Sequence, residues 1–236
     1  MYILAIETTG AFASVALAKA DQPGSEVQIL SRVNGHDRFS HLQNLTPQIK
    51  QVLDEAGIAI SDLDLIAVSK GPGSFTGIRI GVSTARALCQ ALNIPCVGVP
   101  SLDALAMRAE AEEGTLVCPI LDARRSQVYG GGYFFRDGFP VEEVKADPYT
   151  LAEFLEAVKD YDVLFLGDGV DKYGEDIKEA RAGKTGFAQI YQEAPEVAWL
   201  GYRMQELGET VTFDKLQPEY MRMAEAERKL REKQGK

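Results

Sequence analysis

The stretch Ser69-Lys-Gly-Pro-Gly-Ser-Phe-Thr-Gly-Ile-Arg-Ile-Gly81 decides how this chain is read. The run before it, from Asp64 to Ser69, is apolar and β-prone and reads as a buried strand. Gly71, Pro72 and Gly73 then break it. Ser74 or Thr76 can cap the helix that follows by offering an oxygen to free backbone N–H groups. A strand, a glycine turn and a helix N-terminus in series form an arrangement that favours anions. The spacing departs from the familiar phosphate loops. A P-loop carries Lys-Ser or Lys-Thr after its last glycine, whereas Ile78 and Arg79 follow Gly77 here. The dinucleotide fingerprint needs its third glycine one residue earlier. The same pattern also fits a tight turn that lets strand and helix pack closely.

The helix expected over residues 76–92 has little polar surface. Ile78, Val82, Ala85, Cys89 and Leu92 form one stripe at helical spacing. Gly77, Gly81, Thr84, Leu88 and Ala91 form a second, mostly of small residues. Only Arg79, Ser83, Arg86 and Gln90 remain as a polar strip, so most of the helix is covered. Either it is a central core helix, or one stripe faces the core and the other a second chain.

Outward from this stretch the elements repeat. Strands are expected over residues 2–6, 14–19 and 27–33, then a helix over 39–56. Leu42, Leu45, Ile49, Val52 and Ala56 share one face of that helix, and Pro47 should kink or restart it. The strand 65–69, the helix 76–92, a strand 96–99 and a helix opened by Ser101 complete the first half. The second half repeats the order. Its strands are 116–121, 127–135 and 141–145, followed by a helix opened by a Thr150–Glu153 capping box. Then come a strand 163–166, a helix near 173–180, a strand 187–190 and a helix 195–207 with Pro195 at its start. Two such series predict an α/β protein of two lobes, each a mixed sheet with helices, and a cleft between them. The lobes are expected over residues 1–105 and 106–213, with part of residues 214–236 packing back on the first. The charged tail beyond Pro218 reads as a solvated helix or frayed end.

Bulk properties narrow the function. The chain has 236 residues, 45% of them hydrophobic, and a net charge of -10. Phosphate neutralisation needs clustered Lys and Arg, so direct RNA binding is disfavoured and a basic partner would have to hold any RNA. Cys89, Cys96 and Cys118 sit in apolar runs without metal or redox spacing, which predicts buried, reduced thiols in a cytosolic protein. The opening run is short and meets Glu7 at once, which predicts no leader peptide. No apolar stretch is long enough for a membrane span.

Glu7 ends the first strand of the first half, with Thr8 and Thr9 after it. Asp122 ends the matching strand of the second half, followed by Arg124 and Arg125. Gly167-Asp168-Gly169 ends a later strand. Carboxylates at strand ends facing a cleft suit Mg-bound phosphate chemistry; the same residues also terminate strands and cap turns. His36 and His41 are about 140° apart on a helix at roughly 100° per residue, so they do not share a metal-binding face. The chain has no Gly-x-Ser-x-Gly elbow.

Ile3-Leu-Ala-Ile-Glu-Thr-Thr9, the Gly71–Gly81 block, Asp122-Ala-Arg-Arg-Ser-Gln-Val-Tyr129 and Pro218-Glu-Tyr-Met-Arg222 resemble the TsaB family, also called YeaZ. The resemblance runs nearly end to end. It implies the two-lobed actin, Hsp70 and sugar-kinase fold, which is ribonuclease H-like. It also implies a cytoplasmic role in forming N6-threonylcarbamoyladenosine beside the tRNA anticodon. In that pathway TsaC makes the threonylcarbamoyl-adenylate. TsaD, a paralogue, transfers the group with help from TsaB and the ATPase TsaE. TsaD holds a metal with a histidine pair that this chain does not have, so the resemblance implies a non-catalytic partner. It further implies a homodimer alone, a heterodimer with TsaD, tRNA contact only through the complex, and no intrinsic cofactor. ATP or ADP would be held only in the complex. The family's interface maps to Gly77, Ile80, Gly81, Thr84, Ala85, Leu88, His41 and Leu45. A bulky charge at Gly81 or Ala85 is then expected to break assembly and spare the fold. Family members often carry Asp where Glu7 stands, which weakens a Mg-nucleotide site. The competing reading is an active, kinase-like enzyme of this fold with Glu7, Asp122 and Asp168 around Mg-ATP. A metallopeptidase is a third.

Overall fold

The computed structural model describes residues 1–35, 41–181 and 183–222. His36 and the first two residues of the helix expected from Phe39 lie outside them. The first half contains β1 (Tyr2–Glu7), β2 (Ser14–Lys19), β3 (Gln28–Asn34), α1 (His41–Ala56), β4 (Leu65–Gly71), α2 (Phe75–Leu92), β5 (Cys96–Pro100) and α3 (Ser101–Ala106). The second contains β6 (Leu116–Arg124), β7 (Gln127–Arg136), β8 (Phe139–Thr150), α4 (Leu151–Ala157), β9 (Val163–Leu166), α5 (Asp168–Ala180), β10 (Thr185–Ala188) and α6 (Ala194–Glu206).

The two sheets have the same topology. The first runs β3-β2-β1-β4-β5 and the second, read from its other edge, β8-β7-β6-β9-β10. In each, the first strand is antiparallel to the second and parallel to the fourth. This is the mixed-sheet duplication that the repeated element order predicts. It places Glu7 and Asp122 on equivalent central strands.

Both faces of the first sheet are covered, as the alternation along β1 requires. Leu4 and Ile6 join Leu45, Ile49, Val52, Ile78, Val82 and Ala85 of α1 and α2 in one core. Ile3 and Ala5 point the other way, into a core with Ala194, Val197, Ala198 and Tyr202 of α6. Gly201 lets α6 approach β4 closely, because a Cβ there would overlap that of Ala67.

Packing therefore crosses the lobe boundaries expected at 105 and 213. Helix α6 belongs to the first sheet, although its sequence follows the second. The exchange is reciprocal: Leu102, Leu105 and Ala106 of α3 pack with Val117, Leu121, Tyr133 and Leu166 of the second sheet. Each half ends in a helix that crosses to cover the other half's strands.

Three elements differ from their sequence-based expectation. Helix α1 is not restarted at Pro47 but runs through it as one element, its buried face carried by Leu45, Ile49 and Val52. Strand β8 is more than twice its expected length. It crosses Pro140 and Pro148 because it is an edge strand, so one row of its backbone groups needs no ladder partner. Helix α5 starts at Asp168 rather than near Tyr173, directly from the Gly167 turn, where φ is 100°.

Candidate functional site at the interlobe cleft

The glycine turn after β4 packs against the end of β1. Gly73 has φ of 150°, and a Cβ there would meet Thr9. Ser74 caps α2, its Oγ accepting from the Gly77 N–H at 3.2 Å. Thr76, the other expected cap, lies inside the helix. The Ser74 N–H donates to the Thr9 carbonyl at 2.7 Å. The Thr8 hydroxyl donates to the Gly77 carbonyl at 2.7 Å. Side-chain carbons at Gly77 or Gly81 would overlap Thr8. The close strand–helix packing that the glycines allow is therefore realised within this chain.

A cleft of about 450 Å³ opens beside this turn. Its first-lobe wall includes Thr9, Gly10, Gly73, Ser74 and Phe75. Its second-lobe wall includes Asp122, Arg124, Arg125, Tyr129 and Asp168. Arg124, Arg125 and Ser126 turn the chain with φ of 63°, 55° and 59°, a conformation uncommon for residues with a side chain.

The expected cleft residues separate into two groups. Asp122 and Asp168 line the cavity and are tied together, the Asp122 N–H donating to Asp168 Oδ1 at 2.9 Å. The Asp122 carboxylate is also engaged by Lys172 Nζ at 2.9 Å, by the Tyr173 hydroxyl at 3.2 Å and by the Arg124 N–H at 2.8 Å. Gly167 and Gly169 serve backbone approach, since a Cβ on either would run into the Ile120 carbonyl. Glu7 and Thr8 do not line the cavity; both are fully buried. One Glu7 oxygen accepts from the Thr9 N–H at 2.5 Å and the Thr9 hydroxyl at 2.6 Å. The other accepts from the Ser69 hydroxyl. Burial raises the Glu7 pKa, and these hydrogen bonds oppose the rise. Among the described residues no group of three His, Cys, Asp or Glu side chains is placed to hold a metal ion.

The segment after Pro218 is expected from sequence to pack back on the first lobe but not to reach the cleft. Residues 219–222 in fact line its mouth. The Glu219 N–H donates to the Lys70 carbonyl at 2.7 Å, and its carboxylate pairs with Lys70 Nζ at 2.9 Å. The Tyr220 ring lies 4.6 Å from that of Phe75, and its hydroxyl accepts from Arg79 Nε at 3.0 Å. Arg222 donates to the Ala123 carbonyl in the second lobe at 2.7 Å. An aromatic residue set among the charges of this tail is the signal that could have found it.

The expected interface residues divide as well. Gly77, Gly81, Ala85, His41 and Leu45 are buried within the chain itself. His41 Nε2 donates to the Gly10 carbonyl at 3.1 Å, and burial lowers its pKa. Ile80, Thr84 and Leu88 are half-buried. Leu42 of α1, not expected at the interface, is 77% exposed. The expectation that a charge at Gly81 or Ala85 would spare the fold is therefore corrected: both positions are part of the packing.

No helix among the described residues is long and apolar enough to cross a membrane. Residues 37–230 match the family model described as TsaD: tRNA N6-adenosine threonylcarbamoyltransferase. The tRNA threonylcarbamoyladenosine biosynthesis protein TsaB of Bacillus subtilis is 36% identical, across 99% of this chain and all of that protein. The Escherichia coli protein of the same name is 28% identical over 98% of both chains. The solved structure of YeaZ from Pseudomonas aeruginosa superposes with a TM-score of 0.78 at 28% identity, covering 93% of this chain and 99% of that one. Matched over its whole length by TsaB proteins, and across most of it by the TsaD model, the chain belongs to the TsaB (YeaZ) family.

Proposed function

We propose that this chain is a non-catalytic partner of a TsaD-type transferase, acting in the cytoplasm to form N6-threonylcarbamoyladenosine beside the tRNA anticodon. The observation that carries the non-catalytic part is Glu7. Its carboxylate is fully buried, with both oxygens bonded to Thr9 and Ser69, so it offers nothing to a ligand in the cleft. Asp122, the matching carboxylate, is already neutralised by Lys172. The relatives, TsaB proteins of tRNA threonylcarbamoyladenosine biosynthesis, support the pathway. The match to the TsaD model supports pairing between related folds.

The partner surface in this reading is the outer side of α1 and α2, where Leu42, Ile80, Thr84 and Leu88 keep exposed area. The chain would form a homodimer alone and exchange it for TsaD. TsaE would join the larger complex, where any ATP or ADP is held. With a net charge of -10 the chain would meet tRNA only through the complex. The test is light-scattering mass of the chain alone and mixed with its organism's TsaD, with and without ATP. The expected result is a dimer that converts to a mixed complex. A chain that ignores TsaD, or that binds ATP tightly by itself and loses it on Asp122→Asn, overturns the reading in favour of the kinase-like one.

A further inference from the structure

We propose that residues 217–222 form a clasp that holds the two lobes together across the mouth of the cleft. The segment has no regular structure, yet the side chains of Glu219, Tyr220 and Arg222 are each committed to one wall or the other. On the first lobe, Glu219 is fixed by its backbone and by its carboxylate to Lys70. Its carbonyl occupies the space that a Cβ on Gly71 would take, at φ of 120°. Tyr220 lies against Phe75, and Arg79 sits 4.0 Å above the same ring while donating to the Tyr220 hydroxyl. On the second lobe, the Arg222 guanidinium donates to the Ala123 carbonyl, next to Asp122.

The geometry suits a releasable latch better than a permanent wall. Tyr220 is 37% exposed, and the seat consists of an ion pair, an aromatic contact and hydrogen bonds rather than deep apolar burial. Segments with few buried apolar contacts open at low free-energy cost. The glycine turn thus has a use beyond helix packing: Gly71 leaves room for the clasp. This inference rests on the cleft contacts alone and stands apart from the TsaD reading.

The test uses the full chain with spin labels on Ser83→Cys of α2 and Lys178→Cys of α5, both positions exposed. The native cysteines are buried. Pulsed dipolar spectroscopy then reads the interlobe distance. Arg222→Ala frees the clasp from the second lobe, and Tyr220→Ala loosens its hold on the first by removing the aromatic contact and the Arg79 hydrogen bond. Each is expected to broaden the distance distribution and to speed hydrogen exchange at the Glu219 amide roughly tenfold. Tyr220→Phe keeps the ring contact and is expected to stay near the parent. Thermal unfolding confirms that each variant is folded. An unchanged distribution in Arg222→Ala and Tyr220→Ala overturns the clasp. A change in Tyr220→Ala alone also overturns it, because the segment would then belong to one lobe only.

Discussion

Gly77 and Gly81 carry the sharpest residue-level lesson. Their small size suggests that another backbone comes close, and one does: it is β1 of the same chain, at Thr8. Gly77→Ala should therefore destabilise the monomer by about 2–3 kcal/mol through overpacking against a backbone carbonyl. Urea unfolding checks it, and a loss of assembly without a loss of stability would contradict the packing. Asp103 is a second such residue. It accepts from the Tyr133 hydroxyl at 2.9 Å between α3 and the second sheet. Burial pushes its pKa up to about 6, with Glu142 and Glu219 adding to the rise and Lys70 and the hydrogen bond opposing it. The folded form holds its proton more tightly than the unfolded chain. Its stabilising contribution is thus full below the ordinary carboxylate range and lost as pH rises through about 6. Asp103→Asn should remove that dependence, gaining up to about 3 kcal/mol on the parent between pH 4 and 7. Chemical unfolding across that range measures it, and parallel pH profiles would count against it.

At the scale of elements, α2 depends on its cap and on how its two stripes are spent. Ser74→Ala removes the acceptor for the Gly77 N–H and should cost about 1 kcal/mol. A thermal shift measures this, and an unchanged midpoint would mean that water replaces the cap. The stripe of Ile78, Val82, Ala85 and Cys89 lies in the core as its spacing predicts. The stripe of small residues splits along its length. Its first turns, at Gly77 and Gly81, are buried on β1, whereas Thr84 and Leu88 are half-buried and Ala91 is exposed. Of that stripe only the later part keeps exposed area, beside Ile80 of the same helix and Leu42 of α1. The capping box at Thr150 and Glu153 was readable from residue types alone because it is local. The length of β8 was not, since its tolerance of Pro140 and Pro148 depends on being at an edge.

At the scale of the molecule, the two lobes are joined by exchanged helices and by a clasp at the cleft mouth. Leu42→Asp, at a position 77% exposed, should abolish self-association and complex formation while changing monomer stability by no more than about 0.5 kcal/mol, as surface changes do. Light scattering together with urea unfolding separates the two effects, and retained assembly would move the interface elsewhere. Residue types and their spacing suffice for the duplicated order of strands and helices, the mixed α/β class and the placing of Glu7 and Asp122 on equivalent strands, although β6 runs past Asp122 to Arg124. Those are local or periodic properties, written in spacing and turn residues. Packing between distant segments settles which sheet α3 and α6 cover, that Glu7 turns inward to Ser69 and Thr9 while Asp122 faces the cleft, and that the returning C-terminal segment, expected only somewhere on the first lobe, is seated at the glycine turn. Periodicity states which residues share a face but not what covers that face. The covering partner is chosen by contacts between residues far apart in the chain, such as Gly201 on Ala67 and Arg222 on Ala123.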